Sequence, residues 1–481
     1  MEHKLGKYYS FVVVALVALL HLPFIHADPD SEVSTRSRGA WTDEGLNTVQ
    51  IRNYVNHGYL SMDECDNLIK TPLFGFGLVP FYKVLGPHIW VGRVLVLSSL
   101  LFVLFLFLRR KETQLFGTVL AIIGLLQFHV FQYSHYSLAE MLGVSWILLG
   151  IYLLWRHNQN QKWSALIIST VCFSLAYYSK ITFVYAVGIP FTVTYLQFLS
   201  DRIMESNSGE SLWKNWSMQG LVTAFFGGLF YFKWFKPNQV VFDMVQANQG
   251  EGRFDIVDAW NRFSFNLEHF ISVDGFAPMV WLIPVAFLLL SVNGKIKNGK
   301  ETILFGLIVW FVIELHHALL VNPPTRYLIP LFFSALAFVS FSLAEFSSQG
   351  IGKKMVLGVL VLIGGYNLSN YANSISRKSS EIETVRMYLA NYDLSETTIL
   401  GVWGTTLASE TQARCIPIWS DFNMKEQPLQ EYQPRIIFAE KNEAGSGEAF
   451  LSKAIDLEAE ADSVKQFNIW RYKVNLYWMP E

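Results

Sequence analysis

The sequence is poor in charged residues. Asp, Glu, Lys and Arg make up 16% of its 481 positions, against about 25% in an ordinary soluble domain. Hydrophobic residues make up 52%, and they cluster in blocks that approach the roughly 20 residues a helix needs to cross a bilayer core. The composition therefore excludes an ordinary soluble domain and predicts an all-α polytopic membrane bundle.

Cysteine is also rare, with three residues in the sequence: Cys65, Cys172 and Cys415. No Cys-x-x-Cys motif and no Cys/His spacing typical of a metal site occurs. Cys172 falls inside an apolar block, where a thiol packs as a small hydrophobic group. Nothing in the spacing of Cys65 and Cys415 indicates a disulfide, so we expect free thiols. The sequence also lacks internal repeats and low-complexity tracts.

Eleven apolar segments are predicted to be transmembrane helices by their hydropathy. They cover residues 8–25, 90–108, 115–133, 140–155, 163–179, 182–199, 218–235, 276–292, 302–320, 327–344 and 355–371. With eleven spans, the short loops rich in Lys and Arg all fall on one side, which the positive-inside rule makes cytoplasmic. Segments 26–89, 236–275 and 372–481 then lie on the outer side. The first span also has the basic start and short apolar core of a signal peptide, so cleavage near Ala27 stays open.

This topology divides the chain into a transmembrane domain, residues 1–371, and a soluble extracytoplasmic domain, residues 372–481. The outer domain mixes helical patterns at 381–392 and 447–461 with the strand-like runs "TTILGVW", "RIIFAE" and "FNIWRYKV". That mixture predicts a small α/β or α+β domain. The first outer loop, 26–89, carries apolar residues at helical spacing, and we expect short helices lying along the membrane surface.

The stretch "GAWTDEGLN" places two adjacent carboxylates, Asp43 and Glu44, just beyond the first span. Three cations are predicted on the same side at the ends of spans: Lys70, Lys180 and Arg326. Cations gathered around acids at a membrane surface suit a phosphate-bearing lipid, which Lys and Arg bind by charge and by hydrogen bonds. Two plainer alternatives stay open. The cations could snorkel to lipid headgroups, and the "TD" pair could supply the N-cap of a helix that begins there.

Other ionisable side chains predicted on the outer side are less diagnostic. They are Lys83, Arg93, His135, Glu140, His316 and His317. His316 and His317 point about 100° apart on a helix, which makes a poor metal pair, so interfacial packing is the favoured interpretation. The aromatic run "AWNRFSFNLEHF" predicts an interfacial helix or, alternatively, a wall on which sugars stack.

Five stretches occur in order on the predicted outer side: "TDEG", "KTPLFGFGLVPFYKVLG", "SHYSLAEML", "LAYYSKITFVYAVGIP" and "TRYLIPLFFSALAF". In this order they resemble motifs of the polyprenyl-phosphate-sugar glycosyltransferases of the GT-C class. The resemblance is closest to bacterial relatives of protein O-mannosyltransferases and of lipid A aminoarabinose transferases, and it covers most of residues 1–344. It implies a GT-C-like bundle of about eleven transmembrane helices followed by a soluble outer domain.

The resemblance also implies roles for individual residues. Asp43 matches the acid proposed as the catalytic base in that class, and its neighbour Glu44 is a second catalytic candidate that orients the base, binds the acceptor or caps a helix. Lys70, Lys180 and Arg326 match positions expected near the donor phosphate.

Four further residues are candidates for the site: Arg93, His135, Glu140 and Tyr327. Glu140 stands where relatives often carry Asp, so its carboxylate is one methylene longer. The sequence departs from the family pattern at two other positions, because Thr71 replaces the first proline of a Lys-Pro-Pro-Leu turn and Ile181 replaces the usual glycine.

The implied reaction transfers a hexose or pentose from a polyprenyl phosphate to an acceptor hydroxyl on the outer side of the membrane, with inversion. The acceptor is a lipid, a glycan or a protein, and no nucleic-acid partner is expected. No cofactor is certain. Two adjacent carboxylates can bind a divalent metal, but no matching set of ligands is evident, so no metal site is predicted. We expect an integral protein of a bacterial inner membrane, with its active site on the extracytoplasmic side.

Two other functions stay open. The first is a transporter or flippase of lipid-linked glycans without transferase activity. Such proteins often show internal repeats and charges near the bilayer midplane. The second is an enzyme that ligates or polymerises glycans from a diphosphate-linked donor.

Overall fold

The computed structural model describes residues 2–29, 39–62, 64–203, 209–248, 256–272, 282–293, 299–319, 325–347, 350–419, 422–440 and 446–480. Helices dominate this part of the chain up to residue 376. A five-stranded sheet follows in the last hundred residues.

The described residues up to Ser376 form a helical bundle. Its α-helices are α1 (Glu2–His21), α2 (Gly39–His57), α3 (Asn67–Lys70), α4 (Pro72–Leu85), α5 (Ile89–Leu108), α6 (Gln114–Val119), α7 (Phe128–His135), α8 (Ala139–Asn160), α9 (Trp163–Ser179), α10 (Ile189–Ile203), α11 (Gly209–Phe230), α12 (Gln239–Asn248), α13 (Ile256–Ser272), α14 (Leu282–Asn293), α15 (Glu301–Glu314), α16 (Thr325–Phe346) and α17 (Gly350–Ser376). The 3₁₀-helices are Leu22–Phe24, Ile181–Gly188, Lys236–Asn238 and Leu315–Leu319, and Leu120–Leu125 and Tyr231–Phe235 are π-helical.

Among the described residues, six helices are long and apolar enough to cross a membrane. A seventh span results if α6 and α7, which are bent by 92° where they meet, count as one broken span. Each of the eleven predicted spans overlaps a helix of the structure. The count of eleven is not confirmed, however, because three of those helices, Tyr8–Phe24, Trp163–Ser179 and Leu282–Ser291, are apolar over only 10–17 residues, which is short of the roughly 20 that a straight span requires.

Helix α16 runs through the middle of the bundle. Its span, Arg326–Phe346, is 94% buried inside the protein, whereas the span Gly352–Ser376 in α17 is only 11% buried and faces outward. Helices α14 and α15 both pack against α16. Because α16 is surrounded by other helices, its first residues lie among protein groups at the end of the bundle.

Two short strands, β1 (Asp28–Pro29) and β2 (Lys378–Ser379), pair antiparallel. The C-terminal sheet has five further strands, in the order β4-β3-β5-β7-β6. Its strands are β3 (Thr398–Leu400), β4 (Arg414–Ile416), β5 (Pro434–Glu440), β6 (Ser463–Ile469) and β7 (Tyr472–Trp478), and its helices are α18 (Glu381–Leu389), α19 (Val402–Leu407), α20 (Pro428–Tyr432), α21 (Ser446–Leu451) and α22 (Leu457–Glu460). Strand β3 is parallel to β4 and β5, whereas β7 is antiparallel to β5 and β6. Each of the three strand-like runs contains a strand, but "TTILGVW" continues into α19 from Val402, and "FNIWRYKV" is divided between β6 and β7 by a turn at Trp470, which has a positive φ of 51°.

Helix α2 joins the membrane bundle to the sheet. Trp41 is fully buried in the core of the sheet and stacks on Trp470, with 3.9 Å between ring centroids. Arg52 Nη1 donates a 2.8 Å hydrogen bond to the carbonyl oxygen of Thr405. A Cβ at Gly45 would lie 2.4 Å from Thr406 Oγ1, so this contact requires glycine. The prediction that the first outer loop is helical is confirmed. Its placement along the membrane surface stays a prediction, and α2 packs between the two parts of the chain.

Candidate active site

Four charged side chains from distant parts of the sequence meet at the end of the bundle that carries the sheet. Asp43 lies in the second turn of α2, and Glu140 lies in the first turn of α8. Lys180 is an extended residue between α9 and the following 3₁₀-helix, and Arg326 opens α16. Each side chain is at or near the end of its element, which brings all four to one end of the bundle.

These side chains form a chain of ion pairs. Arg326 Nη1 donates a short hydrogen bond to Asp43 Oδ2, and Arg326 Nε lies 3.7 Å from Glu140 Oε1. Lys180 Nζ donates to the same oxygen of Glu140 at 2.5 Å. The ring of Tyr327 faces both cations, with its centroid 4.2 Å from Lys180 Nζ and 4.9 Å from Arg326 Cζ. We call Asp43, Glu140, Lys180, Arg326 and Tyr327 the Asp43 cluster.

The Asp43 cluster has hydrogen-bonding groups that the described protein atoms do not use. Glu140 Oε2 is buried and has no partner among the described residues. Within the same residues, Arg326 donates one hydrogen bond, and the Arg326 side chain is 20% exposed. A buried polar group without a partner costs free energy. The cluster is therefore suited to a polar ligand that donates a hydrogen bond to Glu140 and accepts hydrogen bonds from Arg326.

Burial raises the pKa of Asp43 from 3.8 to about 6, although the nearby Arg326 acts in the opposite direction. The neighbouring carboxylate of Glu140 also favours the protonated form of Asp43. A carboxylate with a pKa close to the working pH is both mostly ionised and basic enough to accept a proton, which is the requirement for a general base.

Lys70 lies at the edge of the Asp43 cluster. It ends the short helix α3, where its ammonium forms an ion pair with Asp66 one turn earlier. Lys70 is also close enough to act electrostatically on the hydroxyl of Tyr327. The structure therefore brings Lys70 near the other predicted cations, but with a carboxylate partner of its own.

Glu44 belongs to a different cluster, although it follows Asp43 directly. Arg93 holds Glu44 by a forked pair of hydrogen bonds, Nε to Oε1 at 2.9 Å and Nη2 to Oε2 at 2.5 Å. The amide of Ser137 donates to Glu44 Oε1 at 2.7 Å, and Arg93 Nη2 also donates to Asp28 Oδ1 at 2.6 Å. We call Asp28, Glu44 and Arg93 the Arg93 cluster.

The Arg93 cluster is saturated. Arg93 Nη1 donates to the carbonyl oxygen of Phe24 at 2.8 Å, so every guanidinium nitrogen has a protein partner. The side chains of Asp28, Glu44 and Arg93 are each at most 5% exposed. The geometry thus places the two predicted candidates Glu44 and Arg93 in a buried joint between α1, α2 and α5.

The helix-capping alternative for the "TD" pair is wrong. Helix α2 begins at Gly39, so Thr42 and Asp43 lie inside it and neither is the residue before its first turn. The two adjacent carboxylates also point into different clusters, so Asp43 and Glu44 do not form a joint metal-binding pair. Among the described residues, no group of three His, Cys, Asp or Glu side chains is arranged to hold a metal ion.

His135 is not part of the Asp43 cluster. Its Nδ1 lies 3.1 Å from Nδ1 of His21 and 3.1 Å from the carbonyl oxygen of Phe131, and the residue is fully buried. Its ring stacks on Phe24, with 5.7 Å between centroids. These contacts place His135 in the packing between α1 and α7.

Glu314 is a buried carboxylate that was not among the predicted site residues. Its Oε1 accepts hydrogen bonds from Tyr185 and Trp310, and its Oε2 lies 2.6 Å from His317 Nδ1. The signal was an acidic residue inside an apolar segment, a feature that usually marks a polar contact within a bundle. His317 was interpreted as an interfacial packing residue, whereas in the structure it is paired with Glu314. The three cysteines are free, as predicted, and all three are buried.

Comparison with solved structures shows the fold. The structure of ArnT from Cupriavidus metallidurans bound to undecaprenyl phosphate matches with a TM-score of 0.64 and 12% sequence identity, over 98% of each chain. The apo form of that ArnT matches with a TM-score of 0.60 and 12% identity, over 97% of each chain. The chain has the GT-C fold. The expected membrane bundle with a small C-terminal sheet is thus confirmed.

A second, longer protein has a related structure. The archaeal oligosaccharyltransferase AglB from Archaeoglobus fulgidus, in complex with an inhibitory peptide and a dolichol-phosphate, matches with a TM-score of 0.52 and 10% identity, over 90% of this chain and 69% of AglB. No protein-family model and no curated protein matches the sequence. The apolar helices and these membrane-protein neighbours identify the chain as an integral membrane protein.

Proposed function

We propose that this protein is a membrane glycosyltransferase that moves a sugar from a polyprenyl-phosphate donor to an acceptor hydroxyl, with Asp43 as the general base. The observation that carries the proposal is the meeting of Asp43 with Lys180 and Arg326 at one end of a GT-C fold. The ArnT structure with undecaprenyl phosphate and the AglB structure with a dolichol-phosphate support a donor of this kind.

The cations would stabilise the phosphate that leaves. In the reaction, the bond between the anomeric carbon and the phosphate oxygen breaks, and negative charge develops on that oxygen. Lys180 and Arg326 lie in a poorly hydrated site, where fixed positive charges act more strongly than in water. Lys70 would be a third cation for the donor phosphate if it exchanged its partner Asp66 for that phosphate.

Asp43 would take the proton of the acceptor hydroxyl as its oxygen attacks the anomeric carbon. Attack from the face opposite the phosphate inverts the configuration at that carbon. In the structure, Arg326 is hydrogen-bonded to Asp43, which weakens Asp43 as a base. A donor phosphate would offer Arg326 a second anionic partner. Binding of the donor would therefore release Asp43 for catalysis.

The side of the membrane is part of the proposal. The excess of Lys and Arg in the short loops opposite the Asp43 cluster supports a site on the extracytoplasmic side of a bacterial inner membrane. The acceptor would then be a lipid, glycan or protein on that side.

A transfer assay tests the proposal. Purified protein in nanodiscs would receive a radiolabelled polyprenyl-phosphate sugar together with an envelope extract as acceptor, and product formation would be followed with time. We expect transfer from the monophosphate donor, a large loss in Lys180→Gln, and no loss in Lys453→Gln, which removes a surface ammonium from the C-terminal part of the chain.

Three results would contradict parts of this account. Equal activity in Lys180→Gln and the wild type would remove the Asp43 cluster as the site. Transfer from a diphosphate-linked donor alone would favour a ligase or polymerase. Movement of lipid-linked sugar across the bilayer without transfer would favour a transporter.

A further inference from the structure

A polar cavity lies apart from the Asp43 cluster, and none of its lining residues belongs to that cluster. Its volume is about 410 Å³, and it is bounded by α18, by the segment 392–395 and by the residues that follow α19. His88, the residue before α5, closes the side nearest the bundle. The cavity is therefore at the junction between the C-terminal part of the chain and the membrane helices.

Arg386 lines this cavity and is under-used as a hydrogen-bond donor. Its Nη1 makes two long contacts, 3.5 Å to Glu383 Oε2 and 3.7 Å to Glu410 Oε1. Its Nε is buried without a partner among the described residues. Burial lowers the pKa of Arg386, which shows that nearby charges do not fully replace the lost water. A guanidinium can donate five hydrogen bonds, so Arg386 has several left for a ligand.

The charges around the cavity disfavour an anionic ligand. Three carboxylates line it, those of Glu383, Asp393 and Glu410, against the single guanidinium of Arg386. A hydrogen bond from His88 lowers the pKa of Glu410, which keeps that carboxylate ionised at neutral pH. A phosphate or carboxylate would therefore meet net repulsion, whereas a ligand that donates as well as accepts hydrogen bonds suits both signs of charge.

One wall of the cavity is aromatic and accessible. The side chain of Tyr392 lines it and is 44% exposed. Tyr392 is itself supported by Trp478, with ring centroids 4.7 Å apart. An aromatic ring that is held in place offers a flat apolar surface beside the carboxylates and the guanidinium.

We propose that this cavity binds one sugar unit of a hydroxyl-rich glycan. Sugar hydroxyls both donate and accept hydrogen bonds, so they can donate to Glu383 and Glu410 and accept from Arg386. The apolar face of a sugar ring fits against an aromatic side chain such as Tyr392. A neutral sugar, or an amino sugar with its positive charge, avoids the repulsion that an acidic sugar would meet.

This inference goes beyond the proposed transfer reaction, because binding here involves neither Asp43 nor a donor phosphate. If transfer is confirmed, the cavity would hold part of the acceptor or product glycan away from the reacting carbon. The sugar could come from a free glycan or from the headgroup of a glycolipid, since the chemistry of recognition is the same.

Binding can be measured directly on the full chain in phosphatidylcholine nanodiscs prepared without sugar-based detergent. The probes are glucose, N-acetylglucosamine and glucosamine, detected by saturation-transfer difference NMR, with inorganic phosphate and Ca²⁺ as competitors. We expect at least one sugar to bind and its affinity to fall about tenfold in Glu410→Gln, the loss expected for one hydrogen bond to a charged group. Tyr392→Leu should also weaken binding, and the surface control Glu426→Gln should not.

Each outcome decides the proposal. Absence of binding by all three sugars, or equal binding in the wild type and both cavity variants, would overturn it. Displacement of the sugar by phosphate or Ca²⁺ would also overturn it, because the cavity would then be an ion site. A glycolipid with the same headgroup, added to the nanodisc, should displace the free sugar if the source is a lipid, and should leave it bound if the source is a free glycan. Sugar binding without transfer activity would leave this inference standing while the proposed function fails.

Discussion

The two buried clusters of charge differ in how completely their members satisfy one another. In the Arg93 cluster, every guanidinium nitrogen has a protein acceptor, and Glu44 accepts from both Arg93 and the Ser137 amide. In the Asp43 cluster, Glu140 has a buried oxygen without a described partner. Both clusters contain carboxylates and cationic side chains near the same end of the bundle. The saturated cluster has the properties of a structural joint, and the unsaturated one has the properties of a binding site.

The comparison also explains the adjacent carboxylates of α2. Successive residues of an α-helix point about 100° apart. Because α2 lies between the membrane helices and the sheet, this rotation directs Asp43 to Arg326 and Glu44 to Arg93. Arg93 thus fixes the rotation of α2 about its axis, and through it the direction in which Asp43 points.

The largest expected effect is a loss of stability when the Arg93 cluster is broken. Arg93→Met leaves the carboxylates of Asp28 and Glu44 buried without their cation, so we expect the free energy of unfolding to fall by about 3–5 kcal/mol. Denaturant titration in mixed micelles measures this change. The matched control is Arg109→Met, at the other, exposed end of the same helix. A loss below about 1 kcal/mol would show that the Arg93 cluster is not a structural joint.

A smaller effect is expected on donor binding. Arg326→Gln removes the cation that bonds Asp43 and would contact the donor phosphate. The loss of a hydrogen bond to a charged group, about 1.5–3 kcal/mol, corresponds to about a 10–100-fold weaker donor affinity. A phosphorus NMR titration with undecaprenyl phosphate measures it, and Arg109→Met again serves as control. Unchanged affinity in Arg326→Gln would place the phosphate elsewhere.

The pH dependence of transfer should reflect the Asp43 cluster alone. Burial raises the pKa of Asp43 to about 6, and a general base works only when deprotonated. The rate should therefore rise with pH up to about 6 and then level off, with about a tenfold loss per pH unit well below that value. Stopped assays at constant ionic strength, with the folded fraction checked at each pH, test this. A rate that stays constant down to about pH 4.5 would argue against Asp43 as the base, since a pKa near 6 would already cost more than tenfold there.

Much of the fold could be predicted, because it depends on where apolar residues cluster. All eleven apolar segments overlap helices, but their sequence did not show that 115–133 is a bent pair, since the break depends on how α6 and α7 pack. Strand β4 was not predicted, because three residues, "RCI", are too short to show an alternating pattern.

Which charged side chains lie together could be predicted from residue type and from the order of the motifs, whereas their roles in a reaction stay predictions. Asp43, Glu140, Lys180 and Arg326 do meet, as the resemblance implied. The separation of Glu44 from Asp43 could not be predicted, because it depends on the rotation of α2 against partners more than forty residues away. Arg386 likewise lies in an unremarkable amphipathic segment, and its cavity exists only in the folded chain.

The most direct test of the central claim compares the two adjacent carboxylates in one experiment. Asp43→Asn and Glu44→Gln each exchange a carboxylate for an amide at neighbouring positions, and both single-turnover transfer and the thermal midpoint would be measured for each. Removal of a general base costs about 10²–10⁴-fold in rate, so we predict that loss for Asp43→Asn with a nearly unchanged midpoint. Glu44→Gln should instead lower the midpoint while the folded fraction keeps most of its rate. The reverse pattern, or equal effects of the two changes, would contradict the assignment of Asp43 to the reaction and Glu44 to the structural joint.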